Sequence, residues 1–296
     1  MADANETYLA LQSAVQWVEQ LTSAKGTRYH FYLKHIRRLA EAHANGSVDT
    51  LIDSPSRYDL YTSMVECQEL IEIHTGLSRY QGDGLSERLK KACNGPTNYE
   101  GEKSGNSASN QGRDFSFELL VASIFARAGY AVSLETEADV RLNWEGRPLL
   151  VECKRPQNFA RLEDALKAAN RQIRTRLSSE CQDARGLIFI SISKLITPKF
   201  QGISVSDHSQ GVALMLDITN SAISSFIHNI NHTLRRNKRL IGTFLLSSMI
   251  IDIENNPAFK AHNLLTYIYG DGLIWTPDEA PTRRLSSNIN RALNVN

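Results

Sequence analysis

The sequence predicts an α/β domain that follows an all-helical N-terminal region. Three observations lead to this prediction. Apolar residues recur at intervals of three and four positions through residues 8–92, as they do in amphipathic helices. A stretch without large apolar residues follows at 100–113, EGEKSGNSASNQGR. Beyond this stretch, short β-rich segments alternate with helical ones, which is typical of an α/β fold.

The N-terminal region has four segments with helical periodicity. In the first, one face carries Tyr8, Leu11, Val15, Val18 and Leu21; the other three are Tyr29–Ala44, Tyr58–His74 and Leu85–Ala92. The polar stretch after them has the composition of a flexible linker. We therefore divide the chain into a helical domain at 1–99, a linker at 100–112 and a second domain at 113–296.

The second domain begins with the element order α-β-β-β-α-β. We expect these elements at Asp114–Ala128, Tyr130–Glu135, Asp139–Asn143, Leu149–Lys154, Arg161–Ser179 and Leu187–Ser193. Gly129 ends the first helix as a C-cap. The remainder of the chain adds a helix at Ile218–Leu234 and strands near Leu240–Leu246 and Leu264–Tyr269.

Composition and charge narrow the classes of protein that the chain can belong to. It has 296 residues, of which 42% are hydrophobic and 22% charged, so it is not a mostly disordered protein. The net charge of +1 provides no overall basic field, and any nucleic-acid surface must be local. No apolar run reaches the roughly 18 residues that cross a bilayer. The absence of a secretory signal and of a CxxC pair predicts a cytoplasmic protein without a membrane partner.

The most informative stretch is DVRLNWEGRPLLVECK, residues 139–154. Glu145-Gly146 lies between two predicted strands and suits a tight hairpin turn. A turn centred there places Asp139 directly opposite Glu152, with Cβ atoms about 5 Å apart. Side chains alternate along a strand, so Lys154 shares the face of Glu152. A slip of one residue in the pairing would break this arrangement.

This cluster has the groups required for metal-assisted hydrolysis of a phosphodiester. Two opposed carboxylates are destabilising unless a positive charge compensates them, and they are good ligands for Mg²⁺. A neighbouring lysine can orient a water molecule or stabilise negative charge that develops during the reaction. Glu118 lies at the edge of the core-facing side of the preceding helix. It is a further candidate that reaches the metal directly or through water, and the alternative is a partly exposed helix carboxylate.

From about Arg113 to Ser193 the chain resembles the PD-(D/E)xK nuclease superfamily, which has the restriction-endonuclease-like fold. The family motif is an Asp on one strand and an acidic-x-Lys triplet on the next, matched here by Asp139 and by 152–154. The resemblance implies an αβββαβ core with a mixed sheet. It also implies cleavage of nucleic acid, usually DNA, with Mg²⁺ as cofactor and Mn²⁺ as a substitute. Residues 113–296 would then be a nuclease domain with a C-terminal α/β extension.

The resemblance also implies roles for individual residues. Asp139 and Glu152 would hold one or two Mg²⁺ ions, together with the backbone carbonyl of Cys153. Glu118 would complete or support the metal site, and Lys154 would position the attacking water. The sequence departs from the family in two places. Ala138 stands where the family name has Pro, and Gln172 is followed by Arg176 where one branch has Tyr.

The helix after the triplet is basic and offers contacts to nucleic acid. Arg155 and Gln172 are candidates for holding phosphates near the site, and Arg171 and Arg174 for phosphates further along the substrate. The alternative is an ordinary solvated helix face. A second basic cluster at 235–239 follows the predicted helix Ile218–Leu234. It would either bind phosphates or complement the helix dipole.

We therefore expect a Mg²⁺-dependent DNA endonuclease, with DNA favoured over RNA, that acts in restriction or anti-phage defence. A homodimer is one expectation, because cutting both strands requires two sites; a protein partner bound through the helical domain is another. Two alternatives stay open. One is a non-catalytic nucleic-acid-binding module on a nuclease fold, and the other is a protein-interaction module on the same fold. A solvent-facing hairpin with an ordinary cross-strand ion pair is the competing interpretation of the 139–154 stretch.

Overall fold

The computed structural model describes residues 4–52, 57–97, 107–135, 137–196, 203–224, 226–253, 256–268 and 278–294. The N-terminal region is helical, as predicted. Its helices are α1 (Ala4–Thr22), α2 (Arg28–Ala44), α3 (Val48–Ile52), α4 (Arg57–Leu77) and α5 (Leu85–Ala92). The predicted apolar stripe of α1 is confirmed in the structure, because Leu11, Val15 and Val18 are buried.

Helix α6 (Ser107–Arg127) begins inside the predicted linker. Residues 107–112, which the composition assigned to a flexible connection, form its first turns. Residues 98–106 lie outside the described residues. Gly112 lets α6 pack closely against the end of α5, since a Cβ atom there would collide with the carbonyl oxygen of Asn94. A stretch that looks polar in sequence is thus ordered as a helix where it meets the N-terminal region.

After α6 comes a mixed β-sheet, so the α/β class is confirmed. Its strands are β1 (Val132–Ser133), β2 (Val140–Trp144), β3 (Arg147–Lys154), β4 (Arg185–Ser191), β5 (Ile203–Val205), β6 (Leu240–Ile253) and β7 (Asn256–Ile268). The spatial order is β1-β2-β3-β4-β6-β5, and β7 pairs with β6. Strand β2 is antiparallel to both β1 and β3, whereas β4 is parallel to both β3 and β6. Helix α7 (Leu162–Ser178) connects β3 to β4, which gives the predicted order α-β-β-β-α-β.

The C-terminal part differs from the prediction in three respects. The single helix expected at Ile218–Leu234 is two helices, α9 (His208–Ser224) and α10 (Ile227–Arg236). The first helix ends at a serine-rich stretch, where Ser224 Oγ donates to the carbonyl oxygen of Ser221. Such local side-chain bonds compete with continuation of the helix. Strands β6 and β7 are longer than predicted. Strand β5 and the helices α8 (Ser193–Ile196) and α11 (Glu279–Asn294) were not predicted.

The two faces of the sheet pack against different helices. Along β3, Leu149 and Val151 point into a core shared with α6, α11 and the N-terminal helices, whereas Leu150 points towards α7 and α10. The first of these cores runs from Leu11 of α1 to Leu293 of α11. The helical region and one face of the sheet are therefore packed around a common core, while the proposed division into two domains stays a prediction. Within the described ranges, no helix is both long and apolar enough to cross a membrane.

Candidate active site

The hairpin between β2 and β3 has the predicted register. Glu145 and Gly146 have φ values of 52° and 79°, and positive φ at both central residues is the geometry of a type I′ turn. The register then runs from Trp144 opposite Arg147 to Val140 opposite Val151. Asp139 precedes the first paired residue of β2, and Glu152 follows the last β2-paired residue of β3. The two residues thus face each other along the backbone at the end of the hairpin. The prediction that their carboxylates share one face of the sheet is wrong, because Asp139 bonds to Cys153 N–H near Glu118 of α6, whereas Glu152 pairs with Arg176 of α7.

Asp139 is attached to the end of β3 through its side chain. Its Oδ2 accepts a hydrogen bond of 2.7 Å from the backbone N–H of Cys153. Cys153 lies two residues beyond Val151, where β2 no longer supplies a backbone partner. The carboxylate of Asp139 therefore takes the place of the next β2 carbonyl, and this bond determines its position.

Glu118 lies on α6, close to Asp139, with 15% of its side chain exposed. Its carboxylate accepts a charged hydrogen bond from Arg88 of α5. Burial raises the pKa of the Glu118 carboxyl to about 8; the negative charge of Asp139 adds to the rise, and the charges of Arg88 and Lys154 oppose it. The structure thus brings Glu118 and Asp139 together, as predicted, on the α6 side of the sheet.

Glu152 points to the other side of the sheet and is fully buried under α7. Its carboxylate forms an ion pair with Arg176 of α7, and its Oε2 lies 3.6 Å from Lys154 Nζ. Oε1 is in contact with Arg176 Nη1, whereas Oε2 accepts no hydrogen bond from the described residues. The interpretation of this hairpin as a solvent-facing ribbon is wrong, because Glu152, Val140 and Trp144 are all 0% exposed.

Lys154 is the last residue of β3 and connects the two sides of the site. Its side chain, 22% exposed, reaches towards Glu152, and its charge lowers the pKa of Glu118. The side chain of Cys153 is buried in the core on the α6 side. Burial raises the pKa of this thiol, as do the charges of Asp139 and Glu118. The predicted metal-binding role of the Cys153 carbonyl stays a prediction.

The predicted nucleic-acid contacts are placed on different surfaces. Arg155 points inward: its side chain is 9% exposed, and its Nη1 lies 3.9 Å from Asp114 Oδ1 on α6. Gln172, Arg171 and Arg174 are exposed on α7. Arg171 and Arg174 line an open surface cavity of about 560 Å³, which we call the α7 groove; its other lining residues are Lys167, Asn170, Thr175 and Ser178.

The second basic cluster has a structural role at one residue. Arg239 donates to the carbonyl oxygens of Leu177 at 2.7 Å and Ala184 at 3.0 Å, and also to that of Cys181. These carbonyls lie at and after the C-terminus of α7, where a cation is favourable. The helix that Arg239 caps is therefore α7 rather than the helix preceding it in sequence.

Two arginines of the site, Arg88 and Arg176, were missed by sequence reasoning. Arg88 belongs to the segment LSERLKKA, whose charges resemble an ordinary solvated helix face. Arg176 was noted as one of the basic residues of its helix and as the residue four positions after Gln172, but not as a partner of Glu152. Neither arginine could be recognised as a site residue from its neighbours in the sequence. Each meets its carboxylate because a helix packs against an element that is distant in sequence.

The donor groups suit a hard divalent cation by their chemistry. Carboxylate oxygens are the ligands such ions prefer. A cation would relieve the repulsion between Glu118 and Asp139 and would provide a partner for Oε2 of Glu152. The positions of the three carboxylates suit a single metal ion only in part, because Glu152 is separated from Glu118 and Asp139 and is paired with Arg176. Among the described residues, no group of three or more His, Cys, Asp or Glu side chains is placed to hold a metal ion.

Comparison of the chain with protein-family models, with curated proteins and with solved structures finds no match. The site is therefore characterised by its own geometry: Asp139 and Glu118 on one side of β3, Glu152 on the other, and Lys154 between them at the end of the strand.

Proposed function

We propose that this protein is a Mg²⁺-dependent nuclease of the PD-(D/E)xK superfamily that hydrolyses phosphodiester bonds, with DNA as the favoured substrate. The observation that carries the proposal is the β2–β3 register, which, continued one position beyond Val140 and Val151, brings the backbones of Asp139 and Glu152 opposite each other and leaves Lys154 at the strand end. The element order α6-β1-β2-β3-α7-β4 also supports it, because this order is the one expected of the restriction-endonuclease-like core.

Asp139 and Glu118 are the first pair to hold the metal, and Glu152 and the carbonyl of Cys153 are the further ligands. The bound ion would polarise the phosphate, lower the pKa of a water molecule and neutralise the leaving oxygen. The hydrogen bond from Cys153 N–H positions the Asp139 carboxylate for this role. For Glu152 to bind the ion, its carboxylate must exchange Arg176 for the metal.

Lys154 supplies positive charge where the reaction develops negative charge. It lies close to Glu152 and is only partly exposed. In this less polar environment its charge acts more strongly on a phosphate than it would in bulk water. Its ammonium group would orient the attacking water and stabilise the transition state. These are the roles expected of the lysine in the acidic-x-Lys triplet.

The α7 groove supplies phosphate contacts outside the reacting centre. Lys167, Arg171 and Arg174 follow one another at intervals of four and three residues, so they share one face of the helix. Cations at this spacing neutralise phosphates along a nucleic-acid strand. Gln172 and Arg155 are the candidates nearer to the site. A cytoplasmic role in restriction or anti-phage defence, with a homodimer cutting both strands, completes the proposal.

The decisive experiment is cleavage of supercoiled and linear DNA, and of RNA, in Mg²⁺, Mn²⁺ or EDTA. Glu152→Gln, Lys154→Met and Asp139→Asn preserve the shapes of the buried side chains, and Glu163→Gln on the exposed part of α7 is the matched control. We expect metal-dependent cutting by the parent and the control, and losses of about 10²-fold or more in the site variants. Equal cutting by parent and Glu152→Gln, or full activity in EDTA, would refute the assignment.

A binding-only module is the second candidate. The observation that favours it is that Glu118 and Glu152 each already have an arginine partner, so their charges are compensated without a metal. Measurement of DNA and RNA binding in the same series separates the two functions. Binding by the parent without cleavage of either nucleic acid in Mg²⁺ or Mn²⁺ would establish the binding module and exclude the nuclease.

A further inference from the structure

The segment that leads into Asp139 is held by a residue of the N-terminal helical region. Arg88 of α5 donates to the backbone carbonyl oxygen of Asp139 at 2.8 Å. It also donates to the carbonyls of Leu134 at 3.2 Å and Ala138 at 3.3 Å. The same guanidinium pairs with Glu118. One side chain thus joins α6 to both ends of the segment 134–139.

The connection between α4 and α5 adds contacts to the same segment. The backbone N–H of Leu134 donates to Tyr80 Oη at 3.1 Å, and the backbone N–H of Asp83 donates to Glu135 Oε1 at 2.6 Å. Gly84 has φ +86° and comes so close that a Cβ atom would lie 2.8 Å from the Leu134 carbonyl oxygen. The helical region therefore contacts the segment at its beginning as well as at its end.

This segment has little regular structure of its own. Strand β1 ends at Ser133 and β2 begins at Val140, so the described residues between them lie outside both strands. Their backbone polar groups need partners from elsewhere, because leaving such groups unpaired in a partly buried position is costly. Arg88 is suited to this, since its side chain is only 12% exposed and its planar fork carries several donors in fixed directions.

We infer that Arg88 is a positioning residue for the candidate site. By holding the carbonyls of Leu134, Ala138 and Asp139 and by pairing with Glu118, it keeps the Asp139 carboxylate on the backbone N–H of Cys153. The helical region then contributes to the geometry of the site, and a displacement of α5 changes the position of the Asp139 carboxylate. The catalytic consequence rests on the proposed nuclease function, whereas the structural consequence does not.

The amide of Cys153 reports directly on this relationship. Its N–H donates to Asp139 Oδ2, so its hydrogen exchange depends on where Asp139 is held. We compare exchange in the parent, Arg88→Gln and Arg88→Lys, with Lys90→Gln on the same helix as the matched control. We expect at least about tenfold faster exchange at Cys153 in Arg88→Gln, an intermediate rate in Arg88→Lys and no change in Lys90→Gln. Parent-like exchange at Cys153 in Arg88→Gln would overturn the inference.

Amides of β4, which is paired on both sides, show whether each variant is folded. If Arg88→Gln loses protection there, Arg88→Lys decides, because a lysine retains the charge but lacks the fork that reaches several carbonyls. Faster exchange confined to Cys153 in that variant supports the inference, and unchanged exchange refutes it.

Cleavage assays add a separate readout. In Arg88→Gln we expect kcat to fall by about 10²-fold with little change in KM, because the reacting groups and not the substrate contacts are misplaced. A rise in KM at constant kcat would overturn the positioning role. A parent that cleaves nothing would defeat the proposed function, and the exchange result would still decide whether Arg88 positions Asp139.

Discussion

Glu152 of β3 and Arg176 of α7 form an ion pair beneath the helix, with 0% and 19% of their side chains exposed. The pair connects the strand that carries the acidic-x-Lys triplet to the helix that follows it. Burial of the Glu152 carboxylate is tolerated here because Arg176 and Lys154 compensate its charge. We expect this contact to influence both the stability of the protein and its affinity for a metal ion.

Replacing Arg176 with Met should destabilise the protein. Removing one partner of a buried ion pair costs about 3 kcal/mol or more, and the proximity of Lys154 favours the lower end. The double variant Glu152→Met/Arg176→Met should lose less than the single variant, because no charge is left uncompensated. Chemical denaturation measures both free energies of unfolding. A single variant within about 0.5 kcal/mol of the parent would contradict the prediction.

The same substitution should increase metal affinity. Arg176 competes with a cation for Glu152, so Arg176→Met should bind Mn²⁺ more tightly than the parent. Asp139→Asn should bind it more weakly, because the amide can still accept from Cys153 N–H but has no charge. Electron paramagnetic resonance titration of free Mn²⁺ gives both affinities without any substrate. Equal Mn²⁺ affinity in all three proteins would exclude these residues from the metal site.

The contribution of Glu69 to stability should fall as the pH rises above the acidic range. Glu69 lies on α4, where burial and the charge of Glu66 raise the pKa of its carboxyl to about 8 against an ordinary 4.5. The folded state therefore holds this proton more tightly than the unfolded chain does. The stabilisation is complete below the ordinary value and is lost as the pH rises towards the raised one. Glu118 contributes in the same direction.

The variant Glu69→Gln removes the titrating carboxyl group at position 69. Its free energy of unfolding should depend less on pH than that of the parent between about pH 5 and about pH 9. Denaturation curves at both ends of this range provide the measurement. If the parent gains stability relative to Glu69→Gln as the pH rises, the sign of the prediction is wrong.

The helical region and the sheet should unfold together. Glu66 of α4 is buried between Arg28 of α2, at 3.1 Å, and Arg113 of α6, at 2.6 Å. Glu66→Gln would leave both buried arginines without their counter-charge, and we expect a loss of about 3 kcal/mol or more in a single transition. Circular dichroism and tryptophan fluorescence should report the same midpoint. Two separated transitions in the parent would show that the regions are independent.

The α7 groove should contribute salt-dependent affinity for nucleic acid. Replacing Arg171 and Arg174 with Gln should weaken DNA binding for all sequences alike and reduce the slope of log K against log salt by about 2. Arg37→Gln on α2, an exposed cation of the helical region, is the control. Fluorescence anisotropy at several salt concentrations measures the slope. An unchanged slope would remove the groove from the proposed interface.

The hairpin and its register could be predicted because they depend on neighbouring residues. The positive φ values of Glu145 and Gly146 are typical of a tight hairpin turn, and the resulting register brings the backbones of Asp139 and Glu152 opposite each other. The direction of the Asp139 carboxylate, which accepts from Cys153 N–H on the α6 side, did not follow from that register. The helices of the N-terminal region follow equally from local periodicity. The same local reasoning misjudged 107–112, whose polar residues fold as helix only where α6 packs on α5, and Ile218–Leu234, which local serine bonds interrupt.

The sequence by itself determined which elements form and which residues share a strand face, because backbone preference and side-chain alternation act over a few positions. Only the tertiary structure decided which charges meet. Arg88 reaches Glu118 and the carbonyl of Asp139, Arg176 pairs with Glu152, and Arg155 lies near Asp114 and away from solvent. These partners lie on separate elements, and their proximity depends on how those elements pack around the common core.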